Sequence, residues 1–257
     1  MTDVLLGAVN GPHRAMVSAT EPGVLAGTAL LAPSGATLPA GCWTVLVSDG
    51  TAVVPGQPLV EVSGSAAQLA AAEDYVMGPL GYASGIATRA RQVAGAAPPG
   101  LRVVCGAWKK LPAALKPLLR AGLAAAGVAP RLLDGDFVYV DKNVVRLLGS
   151  VHAAVAAART AAHGPAAVQV GSAEQAVTAA RAGARAVVVD TGSLADLATA
   201  DRALGDAGLR AAVVLAFAGG VTIDTLAQAR TAGADVVDIG REILNAPLLD
   251  LRFEVVE

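Results

Sequence analysis

Aromatic residues are scarce in this chain, making up 3% of its 257 residues while 54% are hydrophobic. A core without large rings must be filled by Ala, Val and Leu, and the 29 glycines point to tight loops and close helix packing. Charge is also thin. The formal net charge is −2 and no basic block occurs, so nothing here would neutralise a run of phosphates, and nucleic acid is not an expected partner. The Ala-rich stretches are cut by Arg, Asp, Glu or Gly before reaching about 18 apolar residues, which argues against a membrane helix. Residues Met1 to Asn10 lack the basic start and long apolar run of a signal peptide, so the expectation is a soluble, cytoplasmic protein. Cys42 and Cys105 each fall in an expected strand and read as inert buried thiols rather than a disulfide or metal pair. His13, His152 and His163 have no ligand spacing, and a dedicated zinc site is not expected.

What is present has two textures. The first hundred residues alternate strand-like runs with Gly and Pro turns: Arg14 to Ala19, Cys42 to Ser48, Leu59 to Val62. From Ser65 to about Ala94 apolar residues recur at helical spacing, and Gly78-Pro79 should break or kink that helix. Ala96-Ala97-Pro98-Pro99-Gly100 is the best linker candidate. Beyond it strand and helix alternate: Leu101 to Cys105, Pro112 to Ala126, Phe137 to Val140, Leu147 to Ala162, Ala166 to Val170, Ala173 to Ala182, Ala186 to Val189 and Ser193 to Leu204. The series ends with Leu209 to Leu215, Thr222 to Ala232 and Val236 to Ile239. Continuous apolar strands joined by helices indicate a parallel sheet buried on both faces. About six such units, with no Gly-x-Gly-x-x-Gly after any strand, suit an α/β-barrel better than an open sheet.

Reacting groups in such barrels project from the C-terminal ends of the strands. The first strand runs into Trp108, Lys109 and Lys110, the second into Asp141, Lys142 and Asn143, the third into Gln169, and the fourth into Asp190 and Thr191. The last two run into Gly219-Gly220 and Gly240-Arg241. Three of the chain's four lysines therefore gather on one rim, where a lysine holds a phosphate as a point charge or, with a lowered pKa, forms a Schiff base. Gly219-Gly220 before a helix lets backbone amides approach an anion, and Arg241 would add a guanidinium. Asp190 would accept ribose hydroxyls or share a magnesium ion with a bound phosphate. The alternative reading of these residues is rim charge, turn glycine and helix-end partner.

Gly23-Val24-Leu25-Ala26-Gly27, Glu73, Ser84-Gly85-Ile86-Ala87-Thr88, Gly219-Gly220 and Leu249-Asp250 together resemble the quinolinate phosphoribosyltransferase (nicotinate-nucleotide pyrophosphorylase) family, which includes a relative encoded beside molybdate transporters. The resemblance runs along nearly the whole chain, without the first helical stretch such proteins usually carry. It implies an N-terminal α/β-sandwich domain over 1–97, completed by 245–257, and an incomplete α/β-barrel of six or seven parallel strands over 98–244. It further implies a homodimer and a magnesium-dependent reaction. That reaction joins quinolinate to phosphoribosyl pyrophosphate, releasing carbon dioxide and pyrophosphate and giving nicotinate mononucleotide.

Carried over by position, the family's Glu-Arg becomes Glu73-Asp74 and its Thr-Arg-Lys-Thr becomes Ala107-Trp108-Lys109-Lys110. Its His-Arg becomes Pro130-Arg131, its Lys-Asp-Asn-His becomes Asp141-Lys142-Asn143-Val144, and its Val-Glu-Val acid becomes Gln169. Asp-Asn becomes Asp190-Thr191, and Glu-x-Ser-Gly-Gly becomes Ala216-Phe217-Ala218-Gly219-Gly220. Each charge-assisted hydrogen bond to a dicarboxylate is worth roughly 1.5 to 3 kcal/mol, so losing two arginines and a lysine removes about three decades or more of binding or rate. The expectation is a phosphoribosyltransferase-like enzyme with another acceptor. In it Lys109 and Arg131 hold anionic groups of the substrates and Trp108 stacks on a flat ring. Lys110, Asp141, Lys142 and Gln169 line the substrate, Asp190 serves ribose or Mg2+, and Gly219, Gly220, Gly240 and Arg241 hold phosphate. The rival expectations are a non-catalytic barrel kept as a binding or assembly partner, and a lyase working through Lys109, Lys110 or Lys142.

Overall fold

The computed structural model describes residues 6, 8–31, 42–161 and 164–256, the Trp108 side chain excepted; His163 lies outside the described residues. The first strands are β1 (His13–Ala19), β2 (Gly23–Val24), β3 (Trp43–Val45), β4 (Ala52–Val53) and β5 (Pro58–Gly64). They are followed by β6 (Arg102–Val104), β7 (Val138–Val140), β8 (Ala166–Val170), β9 (Ala186–Val189), β10 (Val214–Phe217), β11 (Val236–Asp238) and β12 (Leu251–Val256). Two compact units result. One comprises Met1–Gln92, Lys110–Val128 and Leu244–Glu257; the other comprises Val93–Lys109 and Ala129–Ile243.

In the first unit, the antiparallel sheet has the order β12-β1-β5-β3, and a separate two-stranded ribbon pairs β2 with β4. β1 alternates buried Ala15, Val17 and Ala19 with the less buried Arg14, Met16 and Ser18, as a sheet with one buried face requires. Val17 lies opposite Phe253 of β12 on one side and Val60 of β5 on the other. The buried face packs with Leu69, Ala72, Val76 and Leu80 of the helix Ala66–Ala96. That helix runs unbroken through Pro79, contrary to the break expected from Gly78-Pro79. Proline inside a helix costs about 3 kcal/mol. Leu69, Val76, Leu80 and Ile86 are buried on both sides of it, at roughly 1.5 to 3 kcal/mol each, so packing wins.

The helix also clasps the strand that follows β1. Ser84, the one fully buried polar side chain among the described residues, accepts the Ala26 N–H at 2.9 Å, and its hydroxyl lies 3.3 Å from the Ala26 carbonyl. One turn later Thr88 accepts the Val24 N–H at 2.9 Å and donates to the Ser84 carbonyl at 2.7 Å. Spacing by four puts both hydroxyls on one helix face. A Cβ at Gly85 would fall on the Pro247 carbonyl oxygen, and one at Gly23 on the Leu249 side chain. The helix Lys116–Ala126 comes equally close: a Cβ at Gly122 would lie 2.7 Å from the Ala83 carbonyl oxygen.

In the second unit six parallel strands form a sheet in the order β6-β11-β10-β9-β8-β7. A single parallel bridge from Val104 to Ala129 adds the stub of a seventh position beside β6. Around the circuit the chain order is β6, stub, β7, β8, β9, β10, β11 and back to β6. Among the described residues no strand pairing joins the stub to β7, and the barrel is incomplete at that seam. Small residues dominate the inward positions of β8 to β10, with Ala167, Ala186, Val188 and Ala216 in one cluster. The bulk that fills it comes from one segment, as Leu132, Leu133, Phe137 and Tyr139.

Two segments differ from the sequence expectation. The strand expected over Leu209 to Leu215 begins at Val214, because Arg210–Ala212 forms a 3-10 turn held by the Arg210 guanidinium. That guanidinium bonds Asp201, Asp235 and the Gly233 carbonyl. The helix expected over Leu147 to Ala162 runs from Val151 to Ala161, and an unexpected short helix, Lys142–Leu147, capped by Asp141, precedes it before the chain turns at Gly149 (φ 83°). No helix among the described residues is long and apolar enough to cross a membrane.

Candidate functional site

The strands of the second unit pass at their C-terminal ends into short connections, and side chains that cap the next helix close three of them, after β7, β8 and β9. The Asp141 carboxylate accepts the N–H groups of Asn143 at 2.9 Å and Val144 at 3.0 Å. Ser172 and Ser193 accept those of Gln175 and Asp196, each at 3.2 Å. These caps satisfy helix amides that would otherwise be orphaned. Ser193 is the capping residue of the helix Leu194–Asp206.

The Asp190 carboxylate accepts instead from the Gln169 amide, Nε2 to Oδ2 at 2.9 Å, while Gln169 Oε1 accepts the Lys142 N–H at 2.9 Å. Lys109, on the 3-10 turn Ala107–Lys110 after β6, places Nζ 3.4 Å from the second Asp141 oxygen and 5.4 Å from the centre of the Tyr139 ring. A connected chain of polar contacts therefore crosses four strand ends: Lys109, Asp141, the Lys142 backbone, Gln169, Asp190. Asp238, at the end of β11, accepts the Gly106 N–H at 2.7 Å. The approach requires glycine, since a Cβ at Gly106 would lie 2.7 Å from the other carboxylate oxygen.

Tyr139 stands in the middle of this arrangement, two residues before Asp141 on the inward face of β7 and packed against the barrel core. Burial first, then the charges of Asp238, Asp190 and Asp141, push its phenol well above the ordinary tyrosine range, with a hydrogen bond from Gln169 opposing them. Tyr139 is a neutral phenol at any physiological pH. Asp141 moves the other way: the Val144 amide above all, then that of Asn143 and the Lys109 ammonium, hold its carboxyl below the usual carboxylate value against partial desolvation.

The glycine pair after β10 is strongly shaped. Gly219 and Gly220 have φ of 96° and 86°, the region in which residues with side chains are strained. A Cβ at Gly219 would lie 2.7 Å from the Gly192 nitrogen and 3.3 Å from Asp190 Oδ1, whereas one at Gly220 would meet nothing within 4 Å. The loops after β9 and β10 are thus pressed together at Gly192 and Gly219, and Gly220 is open.

The structure brings together Lys109, Asp141, Lys142 by its backbone, Gln169, Asp190 and Gly219. Arg131 is engaged elsewhere, 3.6 Å from Asp136 and with its guanidinium 4.7 Å from the centre of the Phe137 ring. Lys110 is exposed and begins the part of the chain that belongs to the first unit. Gly240 and Arg241 follow β11, Arg241 exposed at the start of the one-turn helix Arg241–Leu244. Trp108 contributes its backbone to the turn after β6, and its side chain lies outside what is described. Sequence reasoning missed Tyr139 and Asp238. The signal was alternation: counting back two from Asp141 on β7, and stopping at the last strand residue of β11 rather than at Gly240, finds both inward positions.

Two family models match the chain: the N-terminal domain of quinolinate phosphoribosyl transferase over residues 1–84 and its C-terminal domain over residues 86–254. The chain is similar to the human nicotinate-nucleotide pyrophosphorylase [carboxylating], 32% identical over 253 residues, covering 95% of this chain and 83% of that protein. Similarity to a probable nicotinate-nucleotide pyrophosphorylase [carboxylating] of Archaeoglobus fulgidus is 28% over 211 residues, or 81% of each chain. Among solved structures, the nicotinate-nucleotide pyrophosphorylase from Francisella tularensis matches with a TM-score of 0.84 and 20% identity over 99% of this chain and 90% of that one. At that identity the likeness is one of fold.

Proposed function

The chain belongs to the quinolinate phosphoribosyltransferase family, and we propose that its barrel rim is a phosphoribosyltransferase site whose acceptor is less acidic than quinolinate. The observation that carries this reading is the charge at the strand ends: three carboxylates, those of Asp141, Asp190 and Asp238, stand there, bonded to the Val144 amide, the Gln169 side chain and the Gly106 amide. The cation tied into the same network, Lys109, is already paired with Asp141. A dicarboxylate placed there would meet net negative charge, which at about 5 Å and an effective dielectric near 20 costs on the order of 3 kcal/mol per uncompensated pair. A phosphoribosyl donor is a different case, because it brings its own metal.

Mg2+ is bound through one or two carboxylates together with substrate phosphates, not by a cage of protein side chains. That fits the rim. Among the described residues no group of three or more His, Cys, Asp or Glu could hold a metal ion. Asp190 commits Oδ2 to Gln169, and its Oδ1 lies on the side of the Gly219 loop. In this reading Asp190 holds the ion or the ribose hydroxyls, and the open Gly220 amide and Arg241 take phosphate. Calorimetric titration with phosphoribosyl pyrophosphate and magnesium should show binding, and quinolinate titrated separately should bind at least tenfold more weakly. Comparable binding of quinolinate would refute the altered acceptor. A second reading, a non-catalytic barrel serving as a binding or assembly partner, draws on the way Lys109 and Gln169 are already spent on neighbours. No binding of the phosphoribosyl donor at millimolar concentration would favour it.

A further inference from the structure

We propose that Gln169 is a positioning residue of the phosphoribosyl site: its side-chain amide, anchored by the Lys142 backbone N–H, turns the Asp190 carboxylate so that one oxygen, Oδ1, is offered toward the Gly219 loop. This rests on the phosphoribosyltransferase reading of the rim and gives a part in it to a residue that acts through Asp190 instead of lining the substrate.

Gln169 is the fourth residue of β8 and partly buried. Its Oε1 accepts the Lys142 N–H and its Nε2 donates to Asp190 Oδ2, each at 2.9 Å. The direction of the amide follows from its two neighbours. A backbone N–H must be met by an acceptor and a carboxylate by a donor, so the reversed amide would set donor against donor at one end and acceptor against acceptor at the other. The Lys142 N–H therefore decides which end of Gln169 faces Asp190. That N–H is available because it is the first amide of the helix Lys142–Leu147, which has no partner inside the helix, and because the Asp141 cap takes the amides of Asn143 and Val144. The consequence falls on Asp190. With Oδ2 held, Oδ1 lies on the side of the glycine pair: a Cβ at Gly219 would be 3.3 Å from it, and the space beside Gly220 is open. A carboxylate fixed beforehand spares an incoming ligand the entropy of stopping its rotation.

The anchor can be removed without changing either side chain that it acts through. Lys142 is the first residue of its helix, where proline is tolerated, and Asp141 before it, at φ −81° and ψ 170°, already has the extended conformation that a proline requires. Lys142→Pro deletes the N–H and puts a ring carbon in the way of the Gln169 oxygen. Lys142→Ala, the control, loses the same side chain and keeps the N–H. The measurement is calorimetric titration of the full-length variants with phosphoribosyl pyrophosphate and magnesium, beside their thermal midpoints.

The Pro variant should bind about fivefold or more weakly than the Ala variant, a size ordinary for partners in one hydrogen-bonded network, and Gln169→Leu should weaken binding by a similar factor. In a Gln169→Leu background the Pro and Ala variants should bind alike, since the N–H acts only through the amide. A merely structural role would move the thermal midpoints without this pattern of affinities. Equal affinities of the Pro and Ala variants, or a difference between them that persists without Gln169, would overturn the assignment. Should Lys142→Pro fold poorly, Gln169→Leu against the wild type decides, and unchanged affinity there overturns it as well. No binding by the wild type removes the reading of the rim and the role of Gln169 with it, whereas wild-type binding without these differences removes Gln169 alone.

Discussion

The clasp around Ser84 in the first unit and the polar ring around Tyr139 in the second are built from similar groups and finished differently. In the clasp each hydroxyl is bonded to backbone: Ser84 and Thr88 serve the amides of Ala26 and Val24. Glycines there meet other backbone with no room for a methyl group, and Ser84 is fully buried. On the barrel rim polar side chains bond one another as well as backbone and stay open to water, Lys109 and Asp141 being 56% and 30% exposed. The Ser84–Thr88 segment is therefore a structural fastening. The barrel rim is the more open of the two networks. A closed network tolerates little change, because removing a partner leaves an orphaned donor. An open one can be re-cut without unfolding the protein.

The largest effect that would separate the two regions is expected at Gly85, where an added methyl group would strike the Pro247 carbonyl. Gly85→Ala should cost about 3 kcal/mol in urea denaturation. Ser84→Ala strands a buried amide at Ala26 and should cost about 1 to 3 kcal/mol by the same measurement. Gly219→Ala combines a positive φ with the Gly192 amide 2.7 Å away and should cost about 1 to 2 kcal/mol, with Gly220→Ala cheaper because only its φ of 86° opposes the change. A Gly220→Ala protein less stable than Gly219→Ala would overturn the packing assigned to those loops.

Smaller still is the effect of acid on Asp141. Its carboxyl is held below the ordinary value, chiefly by the Val144 amide, so the contribution it makes is present above the unfolded pKa of about 3.9 and is lost as pH falls through the folded value. Asp141→Asn should therefore differ more from the wild type at about pH 7 than at about pH 3, as read by denaturant midpoints at each pH. Lys109→Ala, which breaks an exposed pair at 3.4 Å, should move stability by less than about 1 kcal/mol.

Much of the barrel was legible because continuous apolar runs such as Ala186 to Val189 admit few other readings, and Lys109, Asp141, Gln169 and Asp190 stand where strand ends had to place them. What escaped was set by contacts distant in sequence. Pro79 is tolerated because sheet residues bury the helix on either side of it. The true start of β10 depends on Arg210 reaching Asp201 and Asp235, which no local pattern reveals. Arg131 sits at a position matched to a family arginine, but Asp136 and Phe137 hold it. In a chain so rich in alanine the inward and outward faces of a strand have little contrast, and Tyr139 read as one more strand residue instead of a side chain packed against the barrel core.

The most direct measurement is calorimetric titration of phosphoribosyl pyrophosphate with magnesium into the wild type, Ser84→Ala and Asp190→Ala, at a temperature where all three are folded. If the clasp is structural and the rim binds the donor, the wild type and Ser84→Ala bind alike and Asp190→Ala binds at least tenfold more weakly. Unchanged affinity in Asp190→Ala, or no binding by the wild type at millimolar donor, would contradict the assignment of the rim as a phosphoribosyltransferase site.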